Sequence, residues 1–75
     1  MHYFFSITGQ VDSQDEEGVE FATDREARDQ AIVTFGEVLR DLGGALEVGQ
    51  PLAIEVTDGT HRCVLRLRLF SDLGF

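Results

Sequence analysis

The stretch from Tyr3 to Ala31 constrains the fold more than any other. It runs Tyr3-Phe4-Phe5-Ser6-Ile7, a polar loop closing on Asp15-Glu16-Glu17-Gly18, then Val19-Glu20-Phe21, then Thr23-Asp24-Arg25-Glu26-Ala27. Alternation in the first run puts Tyr3, Phe5 and Ile7 on one face of a strand near His2–Thr8, with Phe4, Ser6 and Thr8 on the other. A second strand is expected near Gly18–Ala22, with Val19 and Phe21 inward and Glu20 outward. Between them lies a polar loop. Thr23 and Glu26 then form a capping box: the threonine hydroxyl takes an amide of the first turn, and the glutamate reaches back to the cap amide.

A helix follows from that cap. At about 100° per residue, Ala27, Ala31, Ile32, Phe35, Val38, Leu39 and Leu42 form one apolar stripe, and Gly43-Gly44 supplies the stop. Arg28 sits in the first turn of the stripe and should reach outward, toward Asp24. Gly36 interrupts the helix at a cost of about 1 kcal/mol relative to alanine.

The C-terminal half reads as a hairpin. Leu52, Ile54 and Val56 alternate with Ala53, Glu55 and Thr57, and Asp58-Gly59 is a strong turn signal. A two-residue turn there pairs Glu55 with Arg62 and Ile54 with Cys63. It puts Arg62, Val64, Arg66 and Arg68 on the face opposite Ile54. A longer loop through Thr60-His61 would change the partners. The chain is thus predicted to be one α+β domain over residues 1–75, a two-layer ββαββ unit. Its four-stranded antiparallel sheet, in order 2-1-3-4, carries one helix on one face.

Charge and size exclude several classes of function. Fourteen acids against six arginines give a net charge of −8, and there is no lysine. The first 24 residues hold six acids and no base. A chain this acidic repels nucleic acid and anionic lipid overall. No apolar run approaches the roughly 18 residues of a membrane span. With one cysteine, Cys63, no intrachain disulfide forms, which fits a cytoplasmic location. A 75-residue chain buries only about 60–65% of its unfolded surface, which favours self-association.

No catalytic, cofactor-binding or metal-binding residue is assigned. His61 and Cys63 alternate on one strand, but a zinc site needs three or four ligands, and His2 is the only other histidine. Cys63 is better read as a small buried hydrophobe and His61 as a hairpin-tip residue. The acidic turn lacks the spacing of a calcium loop, and a solvated turn offers no burial to separate carboxylate pKa values. No enzyme is read from this pattern.

The motifs Tyr3-Phe4-Phe5, Asp15-x-Glu17-Gly18, Ala27-Arg28 with Ala31, Ile54-x-Val56-x-Asp58 and Phe70-Ser71-Asp72 span nearly the whole chain. Together they resemble a family of short bacterial proteins catalogued only as a domain of unknown function. The chain departs from that pattern at Asp24, where leucine is common, and in the spacing of the Asp58–His61 turn. A looser similarity links it to HicB-like antitoxins, which also place an acidic turn and a strand before such a helix. The resemblance carries over no functional residue.

The uncovered sheet face is the candidate interface. Phe4, Arg62, Val64, Arg66 and Arg68 are expected there, with Phe70, Leu73 and Phe75 at the C-terminus. Such a surface suits a two-fold homodimer burying Phe4 and Val64, with Arg66 or Arg68 near an acid of the partner copy, or an unidentified protein partner. The same arginines superficially resemble a nucleic-acid platform, which the net charge disfavours. The expectation is a small interaction or regulatory protein, with an antitoxin-like or nucleic-acid-binding module as the alternative.

Overall fold

Thr23 starts the helix as its spacing requires. In the computed structural model, which describes residues 1–74, α1 spans Asp24–Leu42. The Glu26 amide donates to Thr23 Oγ1 at 3.2 Å. The Glu26 carboxylate closes the box one residue earlier than expected, accepting from the Ala22 amide at 3.1 Å. The helix ends at Gly43, whose φ of 48° lets its amide return to the Leu39 carbonyl. A single 3₁₀ turn, Gly43–Ala45, follows.

The apolar stripe is wider than the contact it makes. Ala27, Ala31 and Phe35 are buried, and Val38, Leu39 and Leu42 pack partly against the core. Ile32, about 100° round from Ala31, stays 57% exposed, contrary to its expected place in the stripe. Nothing lies within 4 Å of where a Cβ on Gly36 would sit, so packing does not demand that glycine.

The sheet is open and antiparallel, with five strands among the described residues in place of the four expected. They are β1 (His2–Thr8), β2 (Ser13–Gln14), β3 (Val19–Glu20), β4 (Leu52–Asp58) and β5 (Cys63–Leu69). The order is β2-β1-β4-β5, with β3 also on β1, so the expected order 2-1-3-4 is corrected in detail. The second strand expected near Gly18–Ala22 is the short β3, on His2-Tyr3, and β2 adds a further piece on Ser6-Ile7 from the stretch expected to be a polar loop. Asp15 explains the break. Its carboxylate accepts the Glu17 and Gly18 amides at 3.2 and 3.1 Å, curling the chain out of the ladder between the two pieces.

Tyr3, Phe5 and Ile7 stand opposite Asp58, Val56 and Ile54, on the helix-facing side. Phe21 closes that side at the edge, its ring 6.0 Å from Tyr3 and 6.2 Å from Phe5. The buried core is Tyr3, Ile7, Ala27, Ala31, Phe35, Leu52, Ile54 and Val56.

The C-terminal hairpin departs from the two-residue turn. The Asp58 amide donates to the Arg62 carbonyl and the His61 amide to the Asp58 carbonyl, both at 3.0 Å. His61 has φ 66°, whereas Gly59 does not take positive φ. This is a three-residue loop, a type I turn followed by a left-handed residue. Ile54 therefore pairs with Leu67 and Glu55 with Arg66, not with Cys63 and Arg62. A bulge follows at Thr57, which faces Cys63 while Val56 faces Leu65.

Candidate functional site

The corrected register redistributes the expected interface residues. Val64, the extra residue of the bulge, packs against the core and not on the open face. Arg66 and Arg68 do fall on the open face, opposite Glu55 and Ala53. Phe4 does too, but the acidic turn folds over it: a Cβ on Gly18 would lie 3.0 Å from its ring. Phe4 and Val64 thus form no common exposed patch. Phe70 and Leu73 are 76% and 68% exposed, while Phe75 lies outside the described residues. Cys63 is exposed opposite Thr57, not buried as expected.

Arg62 leaves the open face altogether. Its Nε donates to Asp58 Oδ2 at 3.0 Å, and its terminal nitrogen reaches Asp24 Oδ2 at 2.7 Å. Asp24 Oδ1 accepts the Tyr3 hydroxyl at 2.7 Å. Asp58 Oδ1 accepts the Thr60 amide and hydroxyl and the Arg62 amide. One network therefore joins β1, the first residue of α1, the end of β4 and the hairpin turn.

Each group in it is held in one protonation state. Hydrogen bonds from the Thr60 side chain and amide, with Arg62, hold the Asp58 carboxyl down to about 2. Arg62 and then Tyr3 lower Asp24. The bond to Asp24, with burial, pushes the Tyr3 phenol up to about 12. Asp58 is only 3% exposed, and Tyr3 is fully buried. The Tyr3 hydroxyl, the Thr60 hydroxyl and the Arg62 guanidinium each meet a carboxylate of the same chain, which suits a tie between elements. Sequence spacing could not reveal it, because Asp24 and Arg62 are 38 positions apart.

The open face is mostly polar. Arg66 is paired with Glu55 at 2.6 Å, leaving Arg68 without an ion-pair partner among the described residues. A shallow groove of about 270 Å³ is lined by Phe4, Gln14, Asp15, Glu16, Thr57 and His61. No group of three or more histidine, cysteine, aspartate and glutamate side chains among the described residues is disposed to hold a metal ion. No helix among them is long and apolar enough to cross a membrane.

A helix on one face of an open antiparallel sheet, with a polar tie at the hairpin end, defines a small α+β protein. Residues 2–71 match the family described as Domain of unknown function (DUF6894), and the chain belongs to that family. No curated protein and no solved structure matches it.

Proposed function

We propose that this chain is a small interaction protein without catalytic activity, acting through self-association or through a protein partner. Its contact surface is the β5 side of the sheet and the tail beyond it. The observation that carries this reading is the exposure of Phe70 and Leu73 directly after β5. The Gly49 amide donates to the Ser71 carbonyl at 3.0 Å, which brings the loop holding Val48, 49% exposed, beside the tail. Apolar side chains grouped at one end of a small protein mark an interface.

The nucleic-acid alternative has less support. Of the three arginines expected on the open face, Arg62 is engaged with Asp24 and Asp58, and Arg66 with Glu55. Sedimentation equilibrium of the wild type and of Phe70→Asp/Leu73→Asp tests the proposal. The expected result is a wild-type dimer at tens of micromolar, or a bound protein, that the double variant loses. A wild type that stays monomeric and retains no protein would contradict it.

A further inference from the structure

β5 is the last strand of the sheet, so its outer backbone groups have no strand partner among the described residues. On the helix-facing side Leu65, Leu67 and Leu69 stand opposite Val56, Ile54 and Leu52. The β4 residues are fully buried, while the three leucines remain only half-buried. The helix thus covers β4 and leaves the flank of β5 incompletely covered. On the open face the same strand presents Arg66, held by Glu55, and the unpaired Arg68.

A second β5 is a poor occupant of this edge. Antiparallel pairing sets same-face residues opposite one another, so a two-fold register that overlaps most of β5 places arginine, or the bulge, against arginine. Centring on Leu67, for example, sets Arg66 against Arg68 of the other copy. Like charges directly opposite destabilise a ladder. The acidic turn does not forbid an acidic occupant. Asp15, Glu16 and Glu17 lie beyond the other side of the sheet, across three strand spacings, or roughly 14 Å. That exceeds the screening length of about 8 Å at physiological salt.

We infer that the β5 edge accepts an extended segment of another protein in which apolar and acidic residues alternate. Its apolar residues would complete the cover over Leu65, Leu67 and Leu69, and a carboxylate on its other face would meet Arg68, the arginine of this strand that Glu55 leaves free. This rests on the reading that the protein acts by binding polypeptide, and it names the chemistry of the partner.

Fluorescence anisotropy with a labelled peptide of β5's length, alternating valine and glutamate, tests the inference against its valine–lysine counterpart. The glutamate peptide should bind and the lysine peptide should not. Arg68→Glu, at an exposed position that thermal melts can check for folding, should weaken the glutamate peptide about tenfold. It should also let the lysine peptide bind. Failure of both peptides, equal binding of both, or indifference to Arg68→Glu and to a milder Arg68→Gln would overturn the inference. If that happened while Phe70→Asp/Leu73→Asp still abolished association, the edge inference alone would fall.

Discussion

Asp58 sets the turn that the whole C-terminal hairpin inherits. Its carboxylate captures the Thr60 and Arg62 amides, so the loop closes one residue later than an Asp-Gly turn and leaves His61 at φ 66°. A left-handed conformation costs a non-glycine residue about 1–2 kcal/mol, and glycine there loses about 0.5–1 kcal/mol more entropy on folding. His61→Gly should therefore be neutral or stabilising by up to about 1 kcal/mol in urea melts, and a clear loss would mean the loop is wrongly described. The folded-state lowering of Asp58, from 3.8 to about 2, adds stability that is fully present above pH 4. That stability is lost as pH falls toward 2. Asp58→Asn should melt below wild type at neutral pH, with the gap narrowing between pH 4 and 2; a constant gap would contradict the assignment. Tyr3 runs the other way: raised from 10.0 to about 12, it stabilises fully below pH 10 and loses that contribution as pH climbs through 12. It is the one tyrosine in a chain without tryptophan, so ultraviolet absorbance reads its ionisation directly. Asp24→Ala should move that midpoint back toward 10.

The helix and strands show which parts of the fold sequence could reveal. Periodicity and the Thr23–Glu26 box located α1, and alternation located β1, β4 and the run of β5, because burial on one face imposes those patterns directly. Register is different, since it depends on which amides one side chain captures. With Asp58 as that side chain, the pairing moves from Cys63 to Leu67 opposite Ile54, Val64 turns to the core and Arg62 leaves the open face. Long-range ties were equally invisible. The Gln10 side chain accepts the Glu47 amide at 2.7 Å and donates to the Glu47 and Gln50 carbonyls, pinning the first loop to the segment before β4. Asp24, at the start of α1, and Asp58, at the hairpin turn, meet at Arg62. Within α1, Phe35→Ala should cost about 3–5 kcal/mol, since the ring is buried at the centre of the stripe. Val33→Ala, at a position 53% exposed, should cost little by the same melts. Gly36→Ala should stabilise by about 0.4–1 kcal/mol, because its Cβ would meet nothing.

At the level of the whole molecule, surface dominates. The radius of gyration is 13.1 Å, against about 11 Å for a compact chain of this length. Its extents are 43 × 20 × 19 Å, and the core is correspondingly small. The acidic strand edge, the polar open face and the arginine- and leucine-bearing β5 edge give three chemically distinct sides. Only the last combines an open strand edge with incompletely covered leucines and the exposed Phe70 and Leu73. Amide hydrogen exchange, measured residue by residue with and without the valine–glutamate peptide, locates the contact most directly. Protection of alternate β5 amides, with the tail and without change at β2 and β3, is the expected result. Protection centred on Phe4, Ser6 and Thr57 of the open face, or no protection anywhere, would contradict it.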